Sequence, residues 1–192
     1  MSELKFIFTG PPGAGKTTAI TAISDCPPVT TDMNATDELL EVKDKTTVAM
    51  DFGQLTLADG ETVFLYGTPG QERFRYMWEI LIRGGLGLVV LIDNTRSDPV
   101  SDMRMYLENF REFINSTGAV IAINRSELRG SPTISDFQDA LSEMGMILPI
   151  MYADPRSKED VLVLLEMLMS VAELSDVVEE EDNGFVDALR SL

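Results

Sequence analysis

A chain of 192 residues, 44% of them hydrophobic, is long enough for one full-sized domain with a real core and short for two. Its formal net charge of −17 excludes a nucleic-acid partner or an acidic membrane surface, because no basic patch could dominate that field. The chain has no histidine and one cysteine, Cys26, which excludes Ser-His-Asp and Cys-His catalysis, histidine-ligated metals and an internal disulfide, and fits a reducing cytoplasm.

The N-terminus shows no signal-peptide pattern or myristoylation glycine, and Ser191-Leu192 carries no prenylation cysteine, so no direct membrane anchor is expected. The apolar run 4–9 predicts a first strand and leads into Gly10-Pro11-Pro12-Gly13-Ala14-Gly15-Lys16-Thr17-Thr18. That is G-x-x-x-x-G-K-[ST] in the setting its chemistry needs, after a strand and opening a helix. Glycines let the backbone curl until successive N–H groups converge on a phosphate at the positive end of a helix dipole. Gly10, Gly13, Ala14, Gly15 and Thr18 then build the cradle, Lys16 reaches the β- and γ-phosphates, and the Thr17 hydroxyl ligates Mg²⁺. A bound nucleotide is the direct implication.

Residues 26–46 fit neither the helical nor the strand period. A structureless connection of about 20 residues within a compact domain marks a functional or mobile segment, here in the place suited to a nucleotide sensor. Strands are predicted at 47–57 and 62–67, and the short Ala58-Asp59-Gly60-Glu61 link makes them an antiparallel hairpin. Phe74, Tyr76, Met77 and Trp78 follow soon after. Four large residues in five positions span more than one helical face, so at least one is expected outside as part of a partner surface, and Trp78→Ala is expected to weaken partner binding while nucleotide affinity stays put.

A strand at 86–93 precedes a helix capped by Asp98 and opened by Pro99, with Val100, Met103, Leu107, Phe110 and Ile114 along one face. Strand 119–124 precedes a helix with Thr133 before it, Ile134, Phe137, Leu141 and Met144 on its face, and Gly145 as its stop. A last strand at 147–151 and a largely apolar helix at 158–177 complete the pattern. Between Glu173 and Arg190 seven acidic residues stand against one basic residue, which reads as a solvated tail over 178–192 after a domain covering 1–177. The alternation predicts an α/β fold: six strands, mostly parallel with one antiparallel hairpin strand, and helices on both faces.

With Thr47-Val48-Ala49-Met50-Asp51-Phe52 and Gly67-Thr68-Pro69-Gly70-Gln71-Glu72-Arg73-Phe74 added to the phosphate loop, residues 4–177 resemble a small Ras-superfamily GTPase of P-loop NTPase fold. Within that superfamily the chain looks most like the prokaryotic small GTPases, including MglA-like proteins and those encoded beside roadblock-domain proteins. The resemblance implies a GTP/GDP switch with Mg²⁺, slow hydrolysis and a protein regulator or effector of roadblock type. It implies that Thr47 completes the metal shell, the Gly70 N–H senses the γ-phosphate, Gln71 orients the attacking water, and Arg73 can assist. It also implies base recognition by Asn124, by the stem and guanidinium of Arg125, by Glu127 in place of an aspartate, and by the Ala153 backbone N–H.

Two further positions depart from the family. Gly67 replaces an aspartate that holds Mg²⁺ through water, which predicts a weaker metal dependence, and Pro12 crowds the attacking water. Lys43 and Lys45 offer no arginine finger within the segment. An ATP-using P-loop enzyme and a nucleotide-dependent scaffold with little turnover stand as the other readings. Against the first are the hairpin and the Gln71-Glu72-Arg73 segment, while Gly67 and Pro12 favour the second.

Overall fold

The computed structural model describes residues 4–27, 29–33, 48–57 and 60–171. Its seven strands are β1 (Leu4–Thr9), β2 (Val29–Met33), β3 (Val48–Thr56), β4 (Thr62–Gly67), β5 (Gly87–Asp93), β6 (Ala119–Asn124) and β7 (Ile150–Tyr152). They form one sheet in the order β2-β3-β4-β1-β5-β6-β7. β1 pairs in parallel with both β4 and β5, and β5-β6-β7 continue in parallel. β3 runs antiparallel to β4, as the hairpin requires, and β2 adds a second antiparallel pair at the edge. The α/β fold with a mostly parallel sheet is therefore as expected. The seventh strand lies in the segment read as structureless, where pairing with β3 supplies the order that local composition does not.

The helices are α1 (Lys16–Ile23), α2 (Arg75–Leu81), α3 (Pro99–Asn109), α4 (Arg111–Thr117), α5 (Ile134–Glu143) and α6, described over 158–171. They cover both sheet faces, so β5 and β6 are buried along their whole length and read as unbroken apolar runs. Alternate residues feed two cores. Phe6, Phe8, Val89, Leu91, Val120 and Ala122 pack under α1 and α6; Ile7, Val90, Ile92, Ile121 and Ile123 pack under α2 to α5.

Local signals set the starts of α3 and α5. Asp98 accepts from the Ser101 N–H at 3.0 Å ahead of Pro99, and Thr133 closes a reciprocal capping box with Asp136. The predicted face from Val100 to Ile114 is split at Phe110 into α3 and α4, although the Phe110 N–H still reaches the Tyr106 carbonyl at 3.1 Å. The last strand begins later than predicted. Pro149 has no N–H, so the ladder opens with its carbonyl accepting from Ile121 at 2.9 Å, and Ile147 stands wholly exposed.

Trp78 is not the exposed aromatic. It is buried at 2% against Phe110 and Tyr106, and Tyr76, at 43%, is the one that faces outward. The apolar surface of α3 decides the side, which the four-residue cluster could not reveal. The turn residues Ala58 and Asp59, the segment with Lys43, Lys45 and Thr47, and the 177 boundary with its acidic tail lie outside the described residues. Replacing the cap in Asp98→Ala is expected to lower stability by about 1 kcal/mol in urea unfolding, without altering nucleotide binding.

Candidate nucleotide site

β1 ends beneath the phosphate loop, at the point where successive strands change from one side of the sheet to the other. Gly10 turns the chain at φ 137°, and a Cβ there would lie 2.0 Å from the Leu91 carbonyl oxygen, so only glycine fits. Lys16 opens α1 and is buried, its Nζ donating to the carbonyls of Gly10 at 2.7 Å and Pro11 at 2.9 Å. Burial pulls its pKa from 10.5 down to about 8, against the opposing pull of Asp51. The Thr17 and Thr18 side chains beside it are exposed on the first turn of α1.

Asp51 was part of a matched pattern in the sequence and had no assigned role. In the structure it stands opposite Gly67 across the β3-β4 pair, and its Oδ2 accepts from the Thr17 hydroxyl at 2.6 Å. A Cβ on Gly67 would come within 3.0 Å of Asp51 Cβ and Oδ2. The space an aspartate at 67 would use is thus filled by a carboxylate from the neighbouring strand, delivered to the Thr17 hydroxyl. A hard carboxylate oxygen beside a hydroxyl is a donor set that suits Mg²⁺. The absence of an acidic residue at 67 therefore does not leave the site without one. Counting back from a link over 58–61 would set residue 51 opposite 68; the Leu57 N–H instead donates to the Glu61 carbonyl at 2.8 Å, and that pairing sets 51 opposite 67.

The loop after β4 lies on the phosphate loop. The Thr68 N–H donates to the Phe8 carbonyl at 2.8 Å, and the Thr9 and Thr68 hydroxyls share a buried bond of 2.8 Å. A Cβ on Gly70 would fall 2.7 Å from the Pro12 nitrogen and 2.8 Å from Lys16 Nζ. Gln71 and Arg73 are exposed, and the Arg73 guanidinium lies 4.8 Å over the Phe74 ring. Gly70 alone of these three is brought against the cradle.

At the other end, buried Asn124 ties β6 to the phosphate loop by donating from Nδ2 to the Ala14 carbonyl at 3.2 Å. Arg125 is the one non-glycine residue with positive φ, 57°, among those described, and its guanidinium is paired with Asp93 at the end of β5. Burial pushes the Asp93 carboxyl up, but bonds from Thr95 and the Arg125 charge outweigh it and hold it below the usual range. Glu127 is exposed at the edge of a cleft of about 430 Å³ that Lys16, Thr17, Thr18, Asn124 and Arg125 also line. Arg156 lines it too, and its hydrogen bonds hold the Asp154 carboxyl down to about 2. The expectation for Ala153 needs correcting: its N–H donates to the Ile123 carbonyl at 3.1 Å and so belongs to the strand ladder. Thr47 lies outside the described residues.

A phosphate loop at a sheet's switch point, joined by one cleft to a side-chain-lined turn, defines a nucleotide-binding P-loop NTPase. The chain belongs to the family described as conserved hypothetical ATP binding protein, which matches residues 27–186, a stretch beginning after the phosphate loop. It is 25% identical over 150 residues to the Ras-related protein RABA6a of Arabidopsis thaliana, covering 73% of this chain and 64% of that one. It is 32% identical over 95 residues to the uncharacterized protein MJ1339 of Methanocaldococcus jannaschii, covering 49% and 53% respectively. Each alignment spans less than two thirds of the relative's length.

The Lys16 shift has a measurable sign. Between about pH 8 and 10.5 the unfolded chain holds a proton there that the folded chain lacks, so this group makes the free protein more stable as pH rises through that window. A bound polyphosphate favours the protonated amine. Nucleotide affinity is therefore expected to be flat below pH 8 and to fall by up to about tenfold per unit above it, measured by calorimetric titration.

Proposed function

We propose that this protein is a purine-nucleotide switch that prefers guanine, binds GTP and GDP with Mg²⁺, and hydrolyses GTP slowly. The observation that carries this reading is the single cleft running from Lys16 and Thr17 to the Asn124–Glu127 turn. Glu127 supplies a carboxylate at its edge, and a carboxylate suits the N1–H and exocyclic amine of guanine, which together offer two donors on one edge. Arg125, held by Asp93, supplies a flat cation for the base face.

Lys16 meets the phosphate charge and the Gly70 N–H senses the terminal phosphate. Gln71, exposed beside it, orients water, and Arg73 assists once it leaves Phe74. Thr17 and Asp51 would hold the Mg²⁺ ion, with Thr47 joining by resemblance. When bound, the ion neutralises charge developing between the β- and γ-phosphates. Pro12 next to Gly70 narrows the space for an attacking water, which supports slow turnover. Residues 1–177 form the switch domain and 178–192 an acidic tail. Exposed Tyr76 and Ile80 on α2, close to Gly70, offer a face for a regulator or effector, of roadblock-domain type by resemblance. No helix among the described residues is long and apolar enough to cross a membrane; the cytoplasmic placement rests on the single cysteine.

A second reading, adenine in place of guanine, is favoured by the Ala153 N–H being committed to Ile123, which removes one donor for a base carbonyl. The family's printed description points the same way. Titrating GDP and ADP separates the two. GDP is expected to bind at least tenfold tighter, and Glu127→Ala to erase most of that margin, since hydrogen bonds to a charged group contribute about 1.5–3 kcal/mol. Tighter ADP binding by the wild type would replace the guanine reading with the adenine one. For the metal, Asp51→Asn is expected to move the Mg²⁺ midpoint for triphosphate binding about tenfold upward, a shift of about 1.4 kcal/mol. An unmoved midpoint would remove Asp51 from the metal shell.

A further inference from the structure

Two consecutive carbonyls of the loop after β4 are held from below by aromatic side chains. The Trp78 indole N–H donates to the Pro69 carbonyl at 2.8 Å, and the Tyr106 hydroxyl donates to the Gly70 carbonyl at 2.7 Å. Both donors stand on firm ground. Trp78 and Tyr106 are buried with ring centroids 5.2 Å apart, and Trp78 stacks on Phe110 at 5.3 Å. Side chains from α2 and α3 thus converge under two adjoining peptide units. Burial raises the Tyr106 pKa well above its ordinary value, so the phenol remains a donor at any ordinary pH.

The backbone translates these two bonds into a direction. The Pro69–Gly70 peptide is trans, and a trans peptide is planar with its C=O and N–H on opposite sides. Drawing the Pro69 oxygen down to Trp78 therefore points the Gly70 N–H away from the core. Pro12 N and Lys16 Nζ lie within 3 Å of where a Gly70 Cβ would sit, so the residue itself abuts the phosphate loop. Among the described residues no acceptor is paired with that N–H. Turning the peptide over would strand a buried indole donor, and moving Gly70 outward would strand a buried hydroxyl.

We infer that Trp78 and Tyr106 are positioning residues that aim the Gly70 N–H at the terminal phosphate, so that the aromatic core beneath the loop sets the preference for triphosphate over diphosphate. The inference rests on the switch reading of the site and adds to it the pair of side chains that presets the sensor.

The test is Tyr106→Phe, which removes one oxygen and keeps the ring packing. Affinities are measured for GDP and for a non-hydrolysable GTP analogue, with the adenine pair alongside. GDP affinity is expected to stay within about twofold, while the triphosphate analogue weakens about tenfold. A purely structural role would lower both together or neither, and either result overturns the inference. Trp78 supplies a second readout because it is the only tryptophan in the chain. In the wild type its emission is expected to change with the triphosphate analogue and not with GDP, and Tyr106→Phe to shrink that difference. Should the variant fail to fold, a wild type that binds the triphosphate analogue no more tightly than GDP would still overturn the proposal. The parent reading fails differently: a wild type that binds no purine nucleotide ends both, whereas binding with an unaltered ratio in the variant ends only this one.

Discussion

β1 lies between two parallel neighbours, β4 and β5, and its carboxyl end opens where the chain passes from one side of the sheet to the other. Every functional group depends on that placement. The phosphate loop leaves β1 directly, the Gly70 loop leaves β4, Asp93 ends β5 and Asn124 ends β6. Parallel strands finish at the same edge of a sheet, so residues 110 positions apart, such as Asn124 and Ala14, meet within hydrogen-bonding distance.

A protein with a net charge of −17 repels an anionic ligand at long range. The site answers with short-range devices. Backbone N–H groups and a helix terminus carry partial positive charge where it is needed, and Lys16 is held in a buried position that screening ions reach poorly. The cost of burying that amine appears as its lowered pKa. Asp51 reduces the cost and, through the same carboxylate, serves the Thr17 hydroxyl. One acidic side chain thereby links the buried Lys16 amine to the Thr17 hydroxyl.

Much of this was legible in the sequence because the signals were local. A phosphate loop between a strand and a helix, a proline after an aspartate cap, a threonine capping box and a hairpin with Asp-Gly all act over a few residues. What was missed is decided at longer range. The edge strand β2 is ordered by β3, the burial of Trp78 by α3, and the start of β7 by which carbonyl Ile121 meets. Ala153 looked available for a base because its partner Ile123 lies 30 positions earlier, across the β6-β7 ladder. Asp51 was visible as a letter in a motif, but its role depends on the side chain that is missing from Gly67 on the adjoining strand.

The exchange between Gly67 and Asp51 ties the placement of the carboxylate beside Thr17 to a loop length. The alternation of side chains across a strand has a period of two, and the β3-β4 register is set by the turn that joins them. Inserting or deleting one residue in that turn would slip the register and rotate the Asp51 carboxylate to the opposite sheet face, where Phe52, Phe64 and Tyr66 cluster, while leaving every residue of the phosphate loop intact. A surface hairpin ordinarily tolerant of length variation would then be as unforgiving of indels as the nucleotide cradle itself.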